Sequence, residues 1–228
     1  MILSILGCGW LGTAIKETFE TKGDTVYCLT HDIGMNHFCQ MYDCGVFVFA
    51  LPPSTEDYLE ILEETIYCFD KEKMPFIIFI SSISYYDDNP LVVEAEKLLK
   101  ETLATYTLDT KMIILRLGGL MGYDRIAGKH SAGKILEGNS GTNYVHRDDV
   151  VGIIENLISQ RLTAGVYDVV APVQSTKKEI FTQNAKKFGF EETTFKDATL
   201  PSKILSPERI SDKLTYSFKK PDVKEFWD

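Results

Sequence analysis

The sequence predicts an α/β fold: a mainly parallel, doubly wound sheet with helices on both faces and a small C-terminal lobe. Three observations carry this. Strand and helix patterns alternate over most of the chain. The strand runs are almost continuously apolar, as in CGVFVFAL at 44–51, which is what strands covered on both faces require. The first strand also runs directly into a glycine-rich turn that opens a helix.

Met1–Leu6 reads as a short buried strand, and Leu11–Phe19 carries apolar residues at helical spacing up to a stop at Gly23. Thr25–Leu29 is the second strand. Residues 30–44 show little periodicity. Only about 15 residues separate Leu29 from Gly45, little more than the dozen a crossover needs, so a strand and helix are expected to be missing there. The third strand, Cys44–Leu51, is ended by Pro52 and Pro53, and Ser54 or Thr55 is expected to cap a helix reaching about Asp70. Phe76–Ile80 is a strand ending at Ser81, residues 84–90 a loop, and Leu91–Ala104 a helix. Met112–Leu117 is a strand entering GGLMG. Residues 122–143, rich in Gly, Lys and His, read as loop with a short helix. Asp148 or Asp149 opens a helix over 150–159, Val166–Val170 is a strand, and Ser175 or Thr176 caps a helix ending at Phe188 and Gly189. The expected division is a nucleotide-binding domain over 1–165 and a small substrate lobe over 166–228.

The chain has 228 residues, with 44% hydrophobic and 25% charged, ordinary values for a globular protein. Its formal charge of -9 argues against a nucleic-acid partner, since phosphate backbones are met by basic patches. The opening apolar run is broken at Gly7, too short for a leader or a membrane span. The five cysteines are odd in number and include no CxxC pair, so reduced thiols in a cytoplasmic protein are expected. Four histidines well apart in sequence give no support for a metal site.

Gly7-Cys8-Gly9-Trp10-Leu11-Gly12 matches GxGxxG, between a strand and a helix. In that context Gly7 allows a tight turn, Gly9 lets backbone approach a pyrophosphate, and Gly12 lets the helix pack closely on the strands. Helix-start amides, with Trp10 and Leu11, then face the phosphate charge. An unliganded glycine turn is the plainer alternative, and Trp10 either covers a ligand or packs beneath a loop. The motif is usually followed by an acid about 20 residues on, which binds the adenosine ribose of NAD. Thr30, His31 and Asp32 stand at the tip of the second strand, and no arginine marks the extra phosphate of NADP. NAD or NADP is the expected cofactor, NAD slightly favoured.

Ligands of open parallel sheets bind beyond the carboxyl ends of the strands. Leu51-Pro52-Pro53 follows the third recognised strand, Ser81 to Tyr86 the fourth, and Gly118-Gly119 the fifth, so these segments are expected to converge on one crevice. Ser81 and Ser82 serve either as turn caps or as donors to a substrate carbonyl. Ser84, Arg125 and His146 are candidate contacts to a small-molecule substrate. The plainer role for His146 is to anchor its loop. A homodimer is the expected assembly, symmetric dimers being the commonest.

Taken together, GCGWLG at 7–12, ALPPS at 50–54, ISSISYY at 80–86, VEAEKLL at 93–99, LRLGGLMGYDR at 115–125, NYVHRDDV at 143–150, GVYDVVAP at 165–172 and RISDKL at 209–214 resemble the extended short-chain dehydrogenase/reductase superfamily. The likeness is to its atypical branch of NAD-dependent epimerase/dehydratase-like and dTDP-4-dehydrorhamnose-reductase-like proteins. It implies an NAD(P)-binding Rossmann fold with a C-terminal substrate lobe. It also implies a strand-end Ser or Thr, matched by Ser82, and a YxxxK pair on the following helix, whose lysine lowers the tyrosine pKa and holds the cofactor ribose. Counting back from Glu96 places Asp88 at the tyrosine and Val92 at the lysine. Tyr86 matches the tyrosine of the strand-end loop. Tyr86 or Tyr85 is left as the substitute proton donor. Because an unperturbed phenol ionises near pH 10, either one needs a nearby cation. Two functions follow: an NAD(P)-dependent oxidoreductase or epimerase-like enzyme acting on a small polar or sugar-like substrate, or a dinucleotide-binding regulatory protein that has lost the chemistry.

Overall fold

The computed structural model describes residues 1–30, 39–106, 111–162 and 164–228, the side chains of residues 39 and 40 excepted. A six-stranded sheet in the order β2-β1-β3-β4-β5-β9 forms its centre. The strands are β1 (Ile2–Leu6), β2 (Thr25–Leu29), β3 (Val46–Phe49), β4 (Phe76–Ser82), β5 (Met112–Leu117) and β9 (Gly165–Val169). β1 pairs in parallel with both β2 and β3, and β3 with β4. The alternating pattern therefore produces the expected doubly wound fold, with β2 at one edge. Between β2 and β3 the described residues contribute only the four-residue α2 (Cys39–Tyr42).

Helix α1 (Trp10–Thr21) follows β1, α3 (Tyr58–Tyr67) follows β3, and α4 (Pro90–Ala104) follows β4. Apolar residues at helical spacing, Leu62 and Ile66 on α3 with Ala95, Leu99 and Leu103 on α4, close over Phe47, Phe49, Ile77, Phe79 and Ile114 of the strands. The expected cap at Ser54 or Thr55 is not used. Asp57, in the left-handed region at φ 54°, precedes α3 and makes no side-chain cap. The turns after Pro52-Pro53 carry the chain that far, delaying the helix by about one turn.

The chain forms two compact units. The first holds Met1–Arg116 and Ile154–Tyr167, the second Leu117–Ile153 and Asp168–Asp228. In the second, β6 (Gly119–Met121) pairs in parallel with β8 (Tyr144–His146), and β7 (Ile135–Leu136) with β10 (Thr194–Phe195). Residues 122–143, expected to be loop and short helix, thus also hold β7. The hydrogen bonds of so short a strand come from residues 60 positions later, which local periodicity cannot register. Helix α5 (Arg147–Ser159) starts directly after β8 with Asp148 and Asp149 in its first turn. Helix α6 (Lys177–Phe188) has a Thr176–Glu179 capping box and a left-handed Gly189 at its end. Ala127, Ala171, Ile180, Phe181, Val223 and Phe226 form the core of this unit. A last helix, α7 (Glu208–Leu214), buries Ile210 and Leu214.

Candidate functional site

The Gly7–Gly12 turn is built as its spacing implies. Gly7 takes φ +110°, and a Cβ there would lie 2.6 Å from the Ala50 carbonyl carbon. A Cβ on Gly12 would lie 2.0 Å from the Gly7 oxygen, so only glycine lets α1 rise this close to the turn. Gly9 is the opposite case: it is exposed, and a Cβ would find nothing within 4 Å. It also stands at the N-cap of α1 without a side-chain cap, at the positive end of a 12-residue helix. A tight, glycine-only floor with one open face at a helix start fits the pyrophosphate of a dinucleotide.

The amides of Gly7 and Cys8 both donate to the Leu29 oxygen, at 2.9 and 3.0 Å, fastening the turn to the end of β2. Cys8 and Cys28 are joined by a disulfide with their Cα atoms 5.5 Å apart. This corrects the expectation of reduced thiols for these two residues. The parallel register places Cys28 beside Ile5, so the turn brings Cys8 back against it, a closeness that a separation of 20 residues does not announce. Cys44 and Cys68 are free thiols. Around the turn, Leu11 and Leu51 are buried, Trp10 and Pro53 are half-buried, and Thr30 and Pro52 are exposed. His31 and Asp32 lie outside the described residues.

The second cluster follows β4. Ser82 is half-buried and caps the short 3-10 turn Ile83–Asp87, accepting from the Ser84 amide at 3.1 Å and the Ser84 hydroxyl at 3.0 Å. Tyr85 and Tyr86 sit on that turn, their rings nearly perpendicular and 5.9 Å apart. Ser81 is buried, and its hydroxyl donates to Glu96 Oε1 at 2.7 Å. Asp88 takes the left-handed region at φ 53°, ahead of α4. Val92, on the first turn of α4, is 2% exposed and faces the core.

Sequence reading missed the group behind these tyrosines. Arg116 of β5 donates from Nε and Nη2 to the two carboxylate oxygens of Glu96 on α4, both at 2.8 Å, and Lys100 reaches the same carboxylate at 3.2 Å. Burial of Glu96 works against its charge, but the bonds from Arg116, Ser81 and Lys100 outweigh it and hold its pKa below the usual carboxylate value. A signal was present: an arginine in the otherwise apolar strand MIILRL needs a buried partner.

The remaining candidates belong to the second unit. Gly118 and Gly119 admit close passage of neighbouring chain, since a Cβ at each would lie 2.3 Å from the Asn143 oxygen and 2.6 Å from the Tyr144 ring. His146 is 3% exposed, between the rings of Tyr123 and Phe226, each 5.4 Å away. Its Nδ1 accepts from the Asp148 amide at 3.2 Å, and burial lowers its pKa, so the neutral ring is favoured. Arg125 is exposed, its backbone bridged to Gly122. Asp149 is fully buried and accepts from the Tyr216 hydroxyl and the Lys219 and Lys220 amides. A pocket of about 450 Å³, lined by Ser140, Gln174, Ser175 and Ser202 among others, lies beside the start of α6.

This architecture is shared by solved structures. The chain resembles UDP-glucuronic acid 4-epimerase from Bacillus cereus in complex with NAD, with TM-score 0.80 and 13% identity over 99% of this chain and 96% of the other. It also resembles the human epimerase family protein SDR39U1 with NADPH, at TM-score 0.74 and 18% identity over 99% and 97%. No protein-family model matches it. Fold and turn together define a Rossmann-fold chain, a parallel sheet whose first strand runs into a glycine turn at the head of a helix. More particularly, the chain is 30% identical to the protein YeeZ of Escherichia coli strain K12, covering 96% of each, and it belongs to the same family.

Proposed function

We propose that the chain binds NAD or NADP at the Gly7–Gly12 turn and acts as an oxidoreductase or epimerase-like enzyme on a small polar or sugar-like substrate. The observation that carries the reading is the open Gly9 face at the head of α1 above a floor only glycines can form. The relatives found with NAD and with NADPH share the fold and support the same reading. The bound dinucleotide would supply hydride chemistry. Ser82 would hold a substrate carbonyl and Tyr86 would give or take its proton.

The test is fluorescence titration with NADH and NADPH, comparing the unaltered chain with Gly9→Asp. Gly9 has φ -82° and room for a side chain, so the variant is expected to fold normally while its carboxylate repels the phosphates. Binding weaker by at least about tenfold is expected, a change of about 1.4 kcal/mol. Equal binding by both proteins would reject the site. The core position of Val92 favours a second reading, nucleotide binding without turnover. Absence of turnover on a panel of keto-sugars, with binding intact, would favour it over the first.

A further inference from the structure

We propose that Arg116 is the cation that activates Tyr86, taking the positioning role that the resemblance assigns to a lysine at the place of Val92. The inference rests on Tyr86 as the proton-handling group of the proposed function.

The geometry is specific. The Arg116 guanidinium carbon stands 3.4 Å from the Tyr85 ring centre and 5.1 Å from that of Tyr86. Burial works against the Arg116 charge, but Glu96 first and Tyr86 next outweigh it and raise its pKa, so the guanidinium stays charged beside the phenol. Its Nε and Nη2 face Glu96, so one planar fork joins a buried carboxylate to a phenol that is 39% exposed. Tyr86 thus has one side on a fixed cation and another open to solvent.

Charge accounting decides whether the cation is effective. Glu96 alone would cancel Arg116. Lys100 also bonds Glu96, and Ser81 adds a neutral donor, so Arg116, Lys100 and Glu96 together carry a net charge of about +1. Tyr58 of α3, which also feels Glu96, is kept neutral: burial, then the Glu96 charge, pushes its ionisation well above the usual range. Asp87 and Asp88 follow Tyr86 in the chain and are exposed, where water screens them. A guanidinium held against a phenol favours phenolate over phenol. The step assigned to Tyr86 is a proton transfer alone. Its O–H bond breaks, the proton passes to a substrate oxygen, and the phenolate is held by Arg116 until solvent returns the proton. The reverse transfer makes Tyr86 the base.

The test reads ionisation directly and needs neither substrate nor dinucleotide. Tyrosinate absorbance is titrated for the intact chain and for Tyr86→Phe, and the difference isolates Tyr86. Its midpoint is expected below the ordinary value of about 10. In Arg116→Met it should rise by roughly one to three pH units, the range for a group losing an adjacent opposite charge. Because that variant strands Glu96, a companion carrying Glu96→Gln and Arg116→Met removes both charges and is expected to show the same rise. Arg116→Lys should restore part of the lowering. A Tyr86 midpoint at or above 10, or one unmoved in the companion, would overturn the inference: a purely structural Arg116 would leave the midpoint in place. Loss of dinucleotide binding would overturn the proposed function while leaving this coupling measurable.

Discussion

Gly9 and Gly12 stand three residues apart in one turn, yet a methyl group added to each meets opposite conditions. At Gly12 it lands on the Gly7 oxygen, and at Gly9 it enters open space. Gly12→Ala is therefore expected to cost about 1–3 kcal/mol through overpacking, while Gly9→Ala stays within roughly 0.5 kcal/mol of the unaltered chain. Urea midpoints of the two variants check this, and equal midpoints would contradict the geometry. His146 carries a second expectation at this scale. Burial lowers its folded pKa from 6.5, so the unfolded chain takes up the proton first as pH falls. Its contribution is complete above pH 6.5 and declines below that until the folded ring also titrates. In His146→Gln the part of the stability loss that begins just below pH 6.5 should vanish, which urea denaturation across that window measures.

The Cys8–Cys28 bridge ties the head of α1 to an edge strand, and its sequence separation of 20 sets its worth. Closing a loop of that length stabilises by roughly 3 kcal/mol in the chain-entropy picture. Reductant is expected to lower the denaturation midpoint of the unaltered chain and to leave the double variant Cys8→Ser, Cys28→Ser unmoved at the lower value. An unaltered chain insensitive to reductant would show that the bridge adds no stability. The elements themselves differ in how far the sequence announced them. β1, β2, β4 and β5, with the helices α1 and α4, were legible because their apolar spacing and glycine or proline stops are local. The bridge, the pairing of β7 with β10, and the fork of Arg116 on Glu96 were not. Each joins residues brought together only by the finished sheet or by strands of two residues, and local periodicity carries no trace of them. The glycine turn of the candidate site was legible for the same reason that α1 was. The environment of Tyr86 was hidden because its decisive neighbour lies 30 positions away on another strand.

The chain forms two compact units, each built from segments that are not consecutive in sequence. The second joins Leu117–Ile153 to Asp168–Asp228, and its bonds show how. Asn143 donates to the Lys203 oxygen and accepts from the Leu205 amide, Asn184 donates to the Ala127 oxygen, and Thr193 donates to the Ser131 oxygen. Buried Asp149 gathers Tyr216, Lys219 and Lys220. The β6–β8 sheet closes within the first segment, but β7 needs β10 of the second, and Gln174 of the second serves both Thr142 and Tyr144 of the first. The two segments should open as one unit, since local stability follows shared buried contacts rather than sequence order. Hydrogen exchange read by mass spectrometry is expected to show similar opening free energies for core peptides around Val145 and around Ile180. Asp149→Ala strands three neutral donors and should lower protection in both segments, each unsatisfied donor costing about 1–3 kcal/mol where it is buried. A loss confined to residues 216–220 would mean that the C-terminal tail is merely pinned to α5, and that the two segments do not fold as one body.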